Sequence, residues 1–341
     1  MKGLYTKKLQ EHKLYKELQQ NLKDYYKLSL HKEHKQKTYL KKFNFKNCRS
    51  GEVIKLDYDF EQKYKEYSKT TQQRVSTISA MAHRKEFVSV FITFTLPSEY
   101  HPFKSIKKGN NRLYTSVNPD FSFDSIDEAV SAGYKHLNKI YQTFYKRVKN
   151  YTKNDLYYVK AIEQHNSTIP HLHLLIFFPI VKAEFIKTTF KRVVNHFDLT
   201  VVDYQSTNFN ESISYASNYL LKYITKDLNS GADYFQARVL DGWKRKHKIR
   251  VLSNSNLPLT LKIYKQIYHS ISNIEKNKIN FKNNDNLLTV KEKIDIEVAA
   301  LGIPIYLFIQ DNLRLEHKIK YLEGSSKTSK KSIYGDKDSL F

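Results

Sequence analysis

Between Phe87 and Leu96 the chain reads FVSVFITFTL, a nearly unbroken β-branched and aromatic run closed by Pro97, the pattern of a buried strand. After a polar loop, Ser125 and Glu128 stand at capping-box spacing, and Val130, Tyr134, Leu137, Tyr141, Phe144 and Val148 follow at helical intervals. The spacing predicts a long amphipathic helix. LYYVKAIE (156–163) and HLHLLIFF (171–178) read as two further strands, and the polar link EQHNSTIP between them suits a hairpin. VKAEFIKTTFKRVVNHF (181–197) returns to helical periodicity, LTVVDYQ (199–205) is a fourth strand, and ESISYASNYLLKYITKDL (211–228) is another helix. NLPLTLKIYKQIYHSI suggests a closing strand and helix.

In order, these elements are β-α-β-β-α-β-α, and the first six follow the ferredoxin-like split βαβ order. The expected class is α+β, with one antiparallel sheet carrying helices on one face. Residues 1–80 are rich in Lys, Gln and Tyr and lack Pro, and they read as a basic, mainly helical extension. The sheet domain is expected over 81–275, followed by a segment 276–341 whose end, SSKTSKKSIYGDKDSLF, has the composition of a disordered tail.

Charge narrows the class of partner. Lys and Arg number 58 against 34 Asp and Glu, a formal net charge of +24, so the chain is drawn to polyanions. The 26 Tyr and 20 Phe add faces on which unpaired bases stack, and together these features point to nucleic acid. A single cysteine, Cys48, excludes a disulfide framework and a thiolate zinc site. No leader-like apolar start follows MKGLYTKKLQ, and runs such as VAALGIPIYLFI are too short to span a bilayer, so the expectation is a cytoplasmic protein with no membrane partner.

The candidate chemistry begins at PHLHLLIFF (170–178). On a strand His171 and His173 share one face while Leu172 and Leu174 share the other. With the leucines packed on helices, the imidazoles are expected on the open side of the sheet, within reach of a metal and a long substrate. Glu163 ends the preceding strand, and a hairpin can carry its carboxylate beside them. Two neutral imidazoles and one carboxylate leave coordination positions open, as catalytic metal sites do. In the helix at 211–228, Tyr215, Tyr219 and Tyr223 recur every fourth residue, with Lys222 and Lys226 three residues after Tyr219 and Tyr223. A phenol is a poor nucleophile until a cation or metal favours the phenolate, so this pairing suits nucleophilic catalysis.

FITFTLPSEYHP (91–102), PHLHLLIFF (170–178) and YLLKYITK (219–226) are similar, in type and order, to the three motifs of the HUH endonucleases, and the chain most resembles the bacteriophage replication gene A proteins. KHLNKIYQTFYKRVK, VKAIEQH and DGWKRKHKIR extend the resemblance across roughly residues 85–270. It implies His171 and His173 as metal ligands with Glu163 in the third ligand's place, Tyr219 and Tyr223 as nucleophiles, Lys222 and Lys226 as phosphate-stabilising cations, and Thr93 and Thr95 as supporting residues. Two positions depart from the family's pattern: NSTI replaces the usual glycine before the first histidine, and Leu96 stands where a cysteine is frequent. Gln164 and His165 are the substitutes for the third ligand.

The resemblance further implies Mg²⁺ or Mn²⁺ as cofactor, nicking of single-stranded or supercoiled origin DNA to give a 5′-phosphotyrosyl link and a free 3′-OH, and rejoining of strands during rolling-circle replication. No GxxxxGK[ST] is present in the sequence, so unwinding falls to a host helicase and extension to a host DNA polymerase. Transposases and relaxases of the same chemistry are alternatives, although a relaxase carries its tyrosines before the histidine motif. A histidine-triad phosphotransferase would need histidine at Leu175. The rival of another class is a non-catalytic, RRM-like RNA-binding module, which needs exposed aromatics on its central strands.

Overall fold

The computed structural model describes residues 4–5, 12–47, 51, 53–108, 112–199, 202–206, 220, 234–258, 291, 293 and 319–322. In chain order they form β1 (Leu4–Tyr5), α1 (Lys13–Leu40), β2 (Asn44–Asn47), β3 (Val53–Ile54), α2 (Phe60–Arg84), β4 (Val88–Phe94), β5 (Phe103–Lys108) and β6 (Arg112–Val117). There follow α3 (Ile126–Thr152), β7 (Tyr157–Gln164), β8 (Pro170–Phe178), α4 (Ala183–His196), β9 (Val202–Ser206), α5 (Phe235–Lys246), β10 (Leu252–Asn254) and β11 (Ile319–Leu322). The chain is thus α+β.

A five-stranded sheet in the order β10-β7-β8-β4-β9, antiparallel at every pairing, forms the centre. Val88, Val90, Ile92 and Phe94 of β4 and Leu172, Leu174, Ile176 and Phe178 of β8 fill one face, packed with Leu137, Ile140 and Phe144 of α3 and Ile186, Phe190 and Val193 of α4. The helical spacing read along α3 is the stripe it buries, and the Ser125 hydroxyl caps it by accepting from the Glu128 amide.

The other face departs from expectation. It is not open: Val75, Ile78 and Ala82 of α2 pack on Phe91, Val159, Ala161, Leu175, Phe177 and Leu252. The cause is visible in β8 itself, which beyond His173 is apolar at both parities, as a strand covered on both sides must be. α1 also joins the main core through Leu18 and Tyr25 and lies along α5, where the missing side chain of Gly242 lets the backbone of Tyr25 approach.

Two further differences concern strands. The polar loop expected after Pro97 contains the β5–β6 hairpin, which its lysine-rich alternation concealed, and β1 pairs along β6. The closing strand lies at 252–254, just before NLPLTLKIYKQIYHSI, where it pairs with β7. That segment beyond Pro258, the helix expected at 211–228 apart from Leu220, and the tail from 323 lie outside the described residues. β11 pairs with β2, which pairs with β3. Among the described residues no helix is long and apolar enough to cross a membrane.

Candidate nucleic-acid cleavage site

Register assembles the site. β7 sets Glu163 directly opposite His171 and Ala161 opposite His173, while β4 brings Thr93 opposite His173 from the other side. Opposed residues of an antiparallel pair share a face, so Thr93, Glu163, His171 and His173 project together. β9 continues the row by setting Asp203 in register with Thr93. Thr95 follows β4 by one residue and is half-buried. Gln164 is opposite Pro170, one position beyond Glu163 and therefore on the other face.

His173 is 3% exposed and both ring nitrogens are satisfied. Its Nε2 lies 2.8 Å from Glu163 Oε2 and its Nδ1 3.1 Å from Thr93 Oγ1. A carboxylate only accepts, so Nε2 carries the hydrogen, and in the neutral ring the Thr93 hydroxyl donates to Nδ1. Phe91 stacks on the ring at 5.7 Å between centroids. Of the two histidines that enter the apolar run of β8, His173 is thus a fully partnered core residue.

His171 is in a different state. Its Nε2 is shielded from solvent and has no hydrogen-bond partner among the described residues. The His165 ring lies parallel to it at 4.8 Å, and His101 meets it edge-on at 5.8 Å. Burial, reinforced by charge on His165, His101 and His173 and only partly offset by Glu163, pushes the His171 pKa down to about 3. The ring therefore stays neutral, its lone pair available to a cation. His101 is itself held by donation from Nε2 to the Leu96 carbonyl at 3.1 Å, and burial lowers its pKa too. No role was assigned to His101 from sequence, although it closes the first motif at a fixed distance from Thr93.

The residue set suits a hard divalent ion in kind: a buried imidazole nitrogen lacking a partner, a second imidazole and a carboxylate. Among the described residues, however, no three His, Cys, Asp or Glu side chains already converge on one point, and Glu163 and His173 are hydrogen-bonded to each other.

The hairpin closes without the family's glycine. Thr168 takes the left-handed conformation at φ 67°, its amide bonds the His165 carbonyl at 2.7 Å, and the His165 amide bonds the Ile169 carbonyl at 3.1 Å. A β-branched residue there is strained, and the tertiary structure holds it: Trp243, fully buried, donates its indole N–H to the Thr168 carbonyl at 3.0 Å. Leu96 is buried in the main core.

Tyr219, Tyr223, Lys222 and Lys226 lie outside the described residues. Leu220 is helical and fully buried in the cluster of Phe91, Ala161 and Leu175, which is the histidine face of the sheet.

The sequence matches the family model described as Bacteriophage replication gene A protein (GPA) over residues 9–231. It is 26% identical over 145 residues to the Replication gene A protein of Escherichia phage P2, a match covering 41% of this chain and 18% of that protein's length. No solved structure matches. With most of the chain, including all three motifs and the histidine site, inside the family match, the chain belongs to the bacteriophage replication gene A protein family.

Proposed function

We propose that the chain is a phage replication initiator that nicks one DNA strand at an origin by tyrosine attack. The observation that carries the reading is the placement of Glu163, His171 and His173 on one sheet face of a replication gene A family chain. The β4–α3–β7–β8–α4–β9 succession in an antiparallel sheet agrees with an HUH endonuclease fold.

The hydroxyl oxygen of Tyr219 or Tyr223 attacks the scissile phosphorus, the P–O3′ bond breaks, and the phenolic proton ends on the departing 3′ oxygen. A 5′-phosphotyrosyl link and a 3′-OH result, so the phosphodiester bond energy is retained for rejoining. The second tyrosine permits a second transfer when the origin is regenerated. Lys222 and Lys226 stabilise the phosphate charge or the phenolate, and Thr93 orients His173. His171, His173 and Glu163 would hold Mg²⁺ or Mn²⁺, which when bound supplies charge neutralisation and polarisation at the phosphate. Host helicase and polymerase then unwind and extend in the bacterial cytoplasm.

A non-catalytic RNA-binding module is disfavoured by a specific observation: Phe91, the aromatic such a module would expose on the free face of this central strand, is 2% exposed.

The test uses labelled single-stranded fragments tiling the replicon, incubated with the chain and Mn²⁺ and resolved under denaturing conditions. A label that travels with the protein, is lost with EDTA, and is absent from a Tyr219→Phe, Tyr223→Phe double variant is expected. DNA that is bound but never attached would sink the reading.

A further inference from the structure

The β5–β6 hairpin leaves the sheet domain beside the histidine site. Its base is fixed by Asn118, which is 2% exposed and donates its side-chain amide to the carbonyls of Ser98 and His101, both at 2.8 Å. The Asn118 amide closes the ribbon on the Pro102 carbonyl at 2.9 Å. His101 is the residue whose ring meets His171 edge-on. The arm is therefore anchored through the residue that lines the site.

From Phe103 to Val117 the sequence FKSIKKGNNRLYTSV holds Lys104, Lys107, Lys108 and Arg112 and no acid. The register places Lys108 directly opposite Arg112, Lys107 opposite Leu113 and Lys104 opposite Ser116, and Lys104 is exposed. Four cations and no acid within fifteen residues make the hairpin a segment that attracts an anionic partner. Six residues per strand give the arm a reach of roughly 20 Å.

We infer that the β5–β6 hairpin is a DNA-binding arm that grips the phosphate backbone of the single strand leading to the histidine site. This rests on the reading that the site acts on single-stranded DNA, but not on which residue is the nucleophile. The arm holds the strand by charge alone, without reading its sequence.

The test measures binding of the full chain to labelled oligo(dT) across a salt series in EDTA, so that no cleavage is involved. Changing Lys104, Lys107, Lys108 and Arg112 together to Ser is expected to flatten the slope of log Kd against log salt by about 3, and to weaken low-salt binding at least about tenfold, because each phosphate contact on a single strand contributes about 0.7 to that slope. Changing Lys23, Lys27, Lys32 and Lys35, exposed on α1, to Ser should leave the slope near that of the parent chain. A Lys104→Arg, Lys107→Arg, Lys108→Arg variant should bind like the parent, which separates lost charge from lost folding. An arm variant with unchanged binding, or one that merely self-associates, would show lysines guarding an edge strand and overturn the inference. Equal loss in the α1 variant, or loss on duplex DNA with none on oligo(dT), would overturn it as well. A parent chain that never forms a covalent adduct while the arm variant still loses oligo(dT) binding would sink the tyrosine chemistry and leave the arm standing.

Discussion

Glu163 faces two histidines in different states: His173 has both nitrogens engaged, and His171 presents a buried Nε2 with no partner among the described residues. If the carboxylate charge is a metal ligand's, Glu163→Gln keeps the shape and loses the charge. Calorimetric titration should then show Mn²⁺ affinity weakened at least about tenfold with little change in melting temperature, whereas parent-like affinity would remove Glu163 from the ligand set. Trp243 acts at one remove, through the strained Thr168 carbonyl. Trp243→Phe leaves a buried carbonyl unpaired, and urea unfolding should show a loss of about 1–3 kcal/mol.

At the scale of elements, α1 and α5 meet backbone to side-chain-free backbone. A Cβ at Gly242 would overlap the carbonyl oxygen of Tyr25, and backbone cannot step aside as a side-chain tip can. Alanine normally favours a helix interior over glycine by about 0.5–1 kcal/mol. Gly242→Ala is nevertheless expected to destabilise the chain by about 2 kcal/mol or more, read from its urea midpoint, because the helices must separate. A stabilised variant would mean that the two helices are not in close contact. α2 plays the parallel part on the sheet: its Val75, Ile78 and Ala82 roof the histidine face beyond His173.

At the scale of the molecule, one polar network binds three distant segments. The Tyr25 hydroxyl of α1 donates to Asp127 of α3 at 2.6 Å; His247, after α5, lies 2.9 Å from that hydroxyl and 2.8 Å from the Ser131 hydroxyl, and Lys246 pairs with Asp127. Burial alone would raise the Asp127 pKa, but hydrogen bonds from His247, Lys246 and Tyr25 outweigh it and hold the carboxyl well below the usual range. A depressed folded pKa means the unfolded chain takes up the proton first. The stabilisation is therefore complete above about pH 4, near the ordinary carboxylate value, and is lost as pH falls below it. Asp127→Asn should be less stable than the parent at pH 7, and its urea midpoint should change less between pH 5 and pH 3. A parent midpoint insensitive to acid would contradict the network.

The strands β4, β7 and β8 and the helices α3 and α4 were legible because period-2 and period-3.6 burial are written locally, and the alternation of HLHL put both histidines on one face. Which partner covers a face is not local. The sequence alone implied an open histidine face, since an amphipathic helix such as α2 announces a buried stripe and says nothing of where the stripe docks. The β5–β6 hairpin was hidden by its charges, which suit a solvated loop as well as a ribbon. Only the tertiary structure brought His101 and His165 against His171, set Trp243 on the Thr168 carbonyl and joined Tyr25 to Asp127 and His247. Most of these contacts join positions tens to hundreds of residues apart, where packing and hydrogen-bond satisfaction decide the pairing and no local period records it.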